Sequence, residues 1–181
     1  AIGANNGRGE VYVFYGPLQA WASQTASSLA DVVLTGPVLT VGQAGAQAGN
    51  YFGGYLLTSR LNADTCDDLA VGAAYVENSK GSVFIYFGSS SAFGSSSLQI
   101  RDTGSVLQAN NSTDLGSEFG WWITTGDLNS DTFPDLVVGA RRHNQPGRIN
   151  NGAVFVLYGP FTANSAVSLT SGTQIYGARG L

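Results

Sequence analysis

The feature that most constrains this chain is that it repeats itself. Asn62-Ala-Asp-Thr-Cys-Asp-Asp-Leu-Ala-Val-Gly-Ala73 returns 67 residues later as Asn129-Ser-Asp-Thr-Phe-Pro-Asp-Leu-Val-Val-Gly-Ala140. A second block occurs three times, as Gly9-Glu-Val-Tyr-Val-Phe-Tyr-Gly16, Gly81-Ser-Val-Phe-Ile-Tyr-Phe-Gly88 and Gly152-Ala-Val-Phe-Val-Leu-Tyr-Gly159, at spacings of 72 and 71 residues. Phe52-Gly53 recurs as Phe119-Gly120, Tyr176-Gly177 stands where a third copy would begin, and Ala1-Ile-Gly-Ala4 matches the end of the longer block. Periods of this size mark supersecondary units that bury their apolar faces against one another. The phase of the repeats predicts a partial unit over residues 1–50, full units over 51–117 and 118–175, and the start of another at 176–181, as in a segment of a longer array.

The recurrent strand Val154-Phe-Val-Leu-Tyr158 is apolar at every position instead of alternating, which predicts that both of its faces are covered. The chain holds 25 glycines, 8 tyrosines and 9 phenylalanines but no methionine, a composition suited to short strands joined by tight turns. Sustained 3.6-residue periodicity is absent, so a helical solenoid is excluded. The expected class is all-β: β-propeller blades of four antiparallel strands, about three repeats, packed face to face around an axis. Gly/Ser-rich stretches such as residues 89–97 are read as surface connections.

In Asp127-Leu-Asn-Ser-Asp-Thr-Phe-Pro-Asp135, oxygen-bearing side chains fall at positions 1, 3, 5 and 9, and Phe133 at position 7 offers its carbonyl. Calcium takes six to eight oxygen ligands, and a tight loop supplies them by turning alternate side chains inward. Three carboxylates so close together repel one another unless a cation sits among them. The alternative is a hydrogen-bonded Asx-type turn. The earlier copy reads Arg60-Leu-Asn-Ala-Asp-Thr-Cys-Asp-Asp68, so Arg60 replaces the first carboxylate and leaves Asn62, Asp64, the Cys66 carbonyl and Asp68 as a weaker second set. There a salt bridge from the Arg60 guanidinium to the loop carboxylates is the competing reading. Both loops place threonine, Thr65 or Thr132, where such loops favour glycine, so either the backbone turns differently or affinity is reduced.

The order Phe-Gly, strand, Asp-x-Asn-x-Asp-x-x-x-Asp, Leu-x-Val-Gly-Ala and Gly-x-Val-Phe-Val-x-Tyr-Gly resembles the FG-GAP repeats of integrin alpha subunits over nearly the whole chain. The resemblance implies a seven-bladed propeller, calcium in hairpin loops at one rim and ligand binding through loops on the opposite face. By it, Asp127, Asn129, Asp131, the Phe133 carbonyl and Asp135 are metal ligands, and the calcium braces the blade instead of performing chemistry. Gly139 and Ala140 match the Gly-Ala of the GAP element, whose proline is missing here. The implied role is an extracellular or cell-surface binding module, not an enzyme, serving adhesion, ligand binding or assembly. Its expected partners are a protein or carbohydrate ligand and further blades in cis or a second copy. The alternative is the non-catalytic propeller domain of a secreted hydrolase or lectin.

Other chemistry has little support. A net charge of −4 gives no basic surface for a phosphate backbone, so nucleic acid is an unsuitable partner. No apolar run approaches the length of a membrane-spanning helix. One cysteine, Cys66, excludes an internal disulfide framework. The residues following Ala1 lack the pattern of a signal peptide. Asn110-Asn111-Ser112-Thr113 holds two overlapping glycosylation acceptors, a short pattern that also arises by chance. His143, the sole histidine, is expected in a solvated loop, and no Gly-x-Ser-x-Gly elbow exists for it to serve. Arg141, Arg142 and Arg148 are weighed as a cationic patch against an ordinary solvated surface. Trp122 aligns with Tyr55 and is read as packing between blades. Trp121, aligned with Gly54, is read as packing in preference to a sugar platform.

Overall fold

In a computed structural model of the chain, the residues described are 2–4, 9–16, 25–36, 51–90, 93, 96–101, 116–145, 147–163, 167, 169 and 172–177. Asn110 and Asn111 lie outside them. Three antiparallel sheets follow one another along the sequence. The first orders β1 (Ile2–Ala4), β2 (Glu10–Val13) and β3 (Val32–Thr35), with one helical turn, α1 (Ala26–Leu29), before β3. The second orders β4 (Phe52–Ser59), β5 (Asp68–Ala73), β6 (Ser82–Phe87) and β7 (Ser96–Arg101), with α2 (Val76–Ser79) between β5 and β6. The third orders β8 (Phe119–Gly126), β9 (Asp135–Ala140), β10 (Ala153–Leu157) and β11 (Thr173–Tyr176). The fold is all-β, and the two complete sheets are four-stranded meanders, as blades require.

The repeat is carried through at the level of register. Ala4 pairs with Glu10, Ala73 with Ser82 and Ala140 with Ala153, so the Gly-Ala end of one strand meets the start of the next identically in all three sheets. β4 and β8 share a bulge between Phe52 and Tyr55 and between Phe119 and Trp122. The extra residues there bend the strand and re-aim its side chains.

Side-chain alternation divides the second sheet between two cores. Leu69, Val71 and Ala73 of β5 join Val11, Leu34 and Phe52 on one side. Ala70, Val83, Ile85 and Phe87 join Phe119, Ile123, Leu136 and Phe155 on the other. This sheet is therefore sandwiched, and every residue of β5 is buried. The expected double burial does not extend to β10, where Val154 is 37% exposed, because no described sheet lies against that side.

The sheets touch through backbone. Gly9, with φ +76°, lies so close to Phe52 that a Cβ would stand 2.2 Å from the Phe52 carbonyl oxygen. Gly81, with φ +87°, meets Phe119 in the same way, at 2.0 Å. Alongside, the carbonyls of Ser79 and Lys80 accept the N–H groups of Glu118 and Phe119 at 2.7 and 2.9 Å. The recurrent glycine that opens β2 and β6 is thus the seat of the next sheet's Phe-Gly pair.

Tyr176-Gly177 does not open a further copy in this arrangement. Tyr176 closes β11 opposite Ala153, and the Gly177 N–H donates to the Gly152 carbonyl at 3.0 Å, as the Gly36 N–H does to Gly9. Its aromatic-glycine pair resembles the opening motif, but it sits at the end of an outer strand.

Gly81→Ala is expected to combine left-handed strain of about 1 kcal/mol with a backbone clash, for a total loss of about 2–4 kcal/mol. Gly147→Ala isolates the first contribution, since Gly147 has φ +77° with nothing within 4 Å of the added carbon. Urea denaturation midpoints of the two variants should differ by the cost of displacing Phe119.

Candidate metal site

The two Asp-rich loops join β4 to β5 and β8 to β9, and so occupy the same end of neighbouring sheets. Strand pairing sets them there, with Ser59 opposite Asp68 and Gly126 opposite Asp135. In the second loop, the Asp131 N–H donates to Asn129 Oδ1 at 3.1 Å and the Phe133 N–H to Asp131 Oδ1 at 2.9 Å. In the first, the Asp64 N–H donates to Asn62 Oδ1 at 3.0 Å and the Cys66 N–H to Asp64 Oδ1 at 2.8 Å. Each loop is thus a pair of consecutive Asx turns, the alternative weighed from the sequence.

The loops differ at their first residue. Asp127 accepts the N–H groups of Asp131 at 3.2 Å and Thr132 at 3.0 Å, drawing the chain inward around its carboxylate. Thr132 is held at φ +76° and Ser130 at +62°, whereas Thr65 does not enter the left-handed region. The backbone thus turns differently in the two copies. Arg60 cannot accept those bonds. Its Nε lies 3.5 Å from Asp67 Oδ1, with both side chains mostly exposed, so it pairs with Asp67 and not with Asn62, Asp64 or Asp68.

The last acidic residue of each loop does work that spacing does not reveal. Asp68 and Asp135 are buried. Asp68 Oδ2 accepts the N–H groups of Leu61 at 2.7 Å and Asn62 at 3.1 Å, while Oδ1 accepts that of Gly88 at 2.9 Å. Asp135 repeats the pattern, with Oδ2 accepting from Leu128 at 2.8 Å and Oδ1 from Gly159 at 3.1 Å. Each carboxylate ties the loop to the glycine that ends the third strand. Burial raises the Asp68 carboxyl above the usual carboxylate range, while the backbone donors pull it down.

The donor set is all oxygen, which suits a hard cation. Asp127, Asn129 and Asp131 are exposed and linked by hydrogen bonds, and Asn129 Nδ2 donates to Asp131 Oδ2 at 2.8 Å. Each carboxylate oxygen has more than one acceptor site, so these bonds do not exhaust the donor set. Among the described residues, no three acidic, histidine or cysteine side chains converge into a preformed cage.

The opposite rim departs from the sequence expectations. His143 is buried, its ring 5.4 Å from Phe155 and 5.7 Å from Tyr176, so it belongs to an aromatic stack and not to a solvated loop. Arg141 and Arg142 both pair with the buried Glu118 and do not form an open cationic patch; this pairing raises the Arg141 pKa. Trp121 packs against Tyr51, with ring centroids 5.5 Å apart and planes within 7°, and beneath the Arg141 guanidinium, 3.7 Å from its ring centroid. Trp122 meets Tyr55 at 5.1 Å as expected of a residue between blades, yet 61% of it is exposed because its other side faces away from the second sheet.

The family model described as FG-GAP repeat matches residues 119–157, which run from β8 through β10. The chain is 36% identical over 100 residues to human phosphatidylinositol-glycan-specific phospholipase D, covering 53% of this chain and 11% of that protein. The bovine protein of the same name is 49% identical over 43 residues, or 24% of this chain and 5% of that protein. Mouse integrin alpha-3 is 36% identical over 101 residues, or 53% of this chain and 9% of that protein. The chain thus spans about a tenth of the length of the longest-matching relatives. Residues 119–157 thus match an FG-GAP repeat, and the sheets are blades of the β-propeller type.

Asp68→Asn should destabilise the chain by about 1–3 kcal/mol, since an amide retains one acceptor oxygen and turns an N–H₂ toward another buried donor. Thr132→Gly should stabilise by about 1 kcal/mol by relieving the left-handed threonine. Thr65→Gly should instead lose about 0.5–1 kcal/mol through added chain entropy. Chemical denaturation in the presence of a chelator measures all three on one scale.

Proposed function

We propose that this chain is a calcium-braced propeller module that works by binding outside the cell, in adhesion, ligand capture or assembly, and is not itself an enzyme. The carrying observation is the recurrence of one oxygen-rich loop at the same end of two adjacent blades, within repeats of the FG-GAP kind. Asp127, Asn129, Asp131, the Phe133 carbonyl and Asp135 would hold the first ion. Asn62, Asp64, the Cys66 carbonyl and Asp68 would hold a second, weaker one. Calcium there would neutralise carboxylates and stiffen the β8–β9 hairpin, and the chain's own contribution is to present the oxygens on a loop already shaped by Asx turns. The repeat units of this reading are residues 1–50 in part, 51–117 and 118–175.

Similarity to integrin alpha-3 supports a protein or carbohydrate ligand and an extracellular or cell-surface setting. Similarity to the phospholipase D supports a second reading, the non-catalytic propeller region of a secreted hydrolase, because the matched stretch is repeat sequence in a protein about nine times longer. Further blades in cis or a second copy remain partners under both readings. Either way, specificity would lie away from the calcium rim, since those loops serve the fold.

Calorimetric titration with calcium tests the metal assignment. Wild type should bind at least one ion, with affinity in the range of extracellular modules, roughly 10⁻⁴–10⁻³ M. A hundredfold excess over the dissociation constant should add about 2.7 kcal/mol of stability. Asp131→Ala should lose the tighter site and its share of the stabilisation. Absence of heat and of any melting shift in wild type would leave the loops as plain Asx-turn hairpins.

A further inference from the structure

We infer that the junction between the first and second sheets, at the rim of the Asp-rich loops, holds a binding site for a sugar. The inference is an addition to the calcium-braced reading and does not depend on it. Tyr15, Cys66, Asp67, Ser89, Ser90 and Phe93 line a cavity of about 360 Å³ there, and Gly88 forms its floor. Small ligands occupy pockets of roughly 300–1,000 Å³. The side chains concerned are distinct from the oxygens proposed to hold calcium.

The next junction along the chain shows what can close this position. Counted along the Gly-x-Val blocks, Tyr15 corresponds to Phe87, and Ser89 and Ser90 correspond to Pro160 and Phe161. In the Asp-rich loops, Cys66 and Asp67 correspond to Phe133 and Pro134. Phe87 and Phe161 are each 3% exposed within the core between the second and third sheets. The Phe161 N–H also donates to the Leu61 carbonyl at 2.8 Å, which ties that junction shut. At the first junction Tyr15 is 51% exposed, and Ser89 and Ser90 are exposed as well. Apolar closure is exchanged there for a phenol, hydroxyls, a thiol and a carboxylate around an open space.

The lining selects its ligand by elimination. Asp67 repels phosphate and other anions, and its Oδ1 already faces Arg60 Nε at 3.5 Å, which leaves little net charge to hold a cation. A purely apolar ligand would strip water from the serine hydroxyls and the carboxylate without replacing it. A sugar meets each group. Its hydroxyls donate to the carboxylate oxygens and exchange hydrogen bonds with Ser89, Ser90 and the Tyr15 hydroxyl, while its C–H face lies on an aromatic ring. The framework is set before any ligand arrives. The Tyr15 N–H donates to Asp31 Oδ2 at 2.6 Å, and the Gly88 N–H to the buried Asp68 Oδ1 at 2.9 Å. A Cβ on Gly88 would stand 2.3 Å from the Asp67 carbonyl oxygen, so the floor is main chain. Phe93 packs against the core around Val11 and Phe52, which anchors its ring.

Cys66 is the sole cysteine of the chain and a wall of the cavity, so its alkylation reports occupancy. The test follows iodoacetamide labelling of the intact chain by mass spectrometry, in a chelator, with glucose, galactose, mannose or N-acetylglucosamine at millimolar concentrations. At least one sugar should slow labelling saturably, by threefold or more. Tyr15→Ala should weaken that protection at least tenfold. Ser90→Phe, which restores the side chain found at Phe161, should abolish it without lowering the melting temperature. Ile149→Ala at the far rim should leave it within twofold, and circular dichroism of each variant confirms that the sheets persist. No saturable protection by any of the four sugars, or equal protection in Tyr15→Ala and Ile149→Ala, overturns the inference. So does equal protection by sorbitol, an open-chain polyol, which would assign the effect to cosolvent and not to a site for a sugar ring. Calcium binding can succeed or fail independently of every one of these results.

Discussion

The architecture depends on one backbone contact, the approach of a Phe-Gly pair to a left-handed glycine in the preceding sheet. At Gly81 any side chain would overlap the Phe119 carbonyl, so the distance between sheets is set by main chain and not by interdigitated side chains. The seat tolerates little adjustment, because neither partner can move without breaking the strand pairing around it. Once Phe119 is in place, its ring meets Phe155 at 5.4 Å and the core between the second and third sheets assembles around that pair.

At the opposite rim the fold is secured by buried carboxylates. Asp68 and Asp135 each reach the N–H groups of the loop and of the glycine after the third strand, joining the loop end of the first two strands to the end of the third. The same residues end the Asp-rich motif. The motif therefore has two parts. Its closing aspartate holds the blade together, and its first three side chains shape the exposed loop. Arg60 shows that the second part can vary while the first is kept.

Much of the fold was legible in the sequence because repetition fixes register. The three Gly-x-Val blocks lie on β2, β6 and β10, and the two Leu-x-Val-Gly-Ala blocks on β5 and β9, with identical pairing. Motif resemblance misled where local sequence does not determine position, as in Tyr176-Gly177. His143 was misread because its neighbours are polar, whereas its environment comes from Phe155 and Tyr176, distant in sequence. Trp122 aligned correctly with Tyr55, but an alignment cannot say whether a face has a neighbour. For the Asp-rich loops, spacing indicated oxygen donors converging, and the structure gives the hydrogen-bonding arrangement in which those donors are held.

The rim above β4 and β8 shows that the units are not interchangeable. Tyr51 and Glu118 hold the same left-handed position before Phe-Gly, at φ 56° and 55°. Where that position is tyrosine, its ring fills the space beside Gly54, in which a Cβ would lie 2.3 Å away. Where it is glutamate, the carboxylate turns to Arg141 and Arg142, and the equivalent of Gly54 carries the indole of Trp121. The two positions are thus linked as alternatives, tyrosine with glycine or glutamate with tryptophan. A blade transplanted with only one member of its pair would bring either a collision or an unmatched buried acid. Divergence among repeats must then proceed in coupled steps, so each blade acquires an identity that its neighbours cannot borrow.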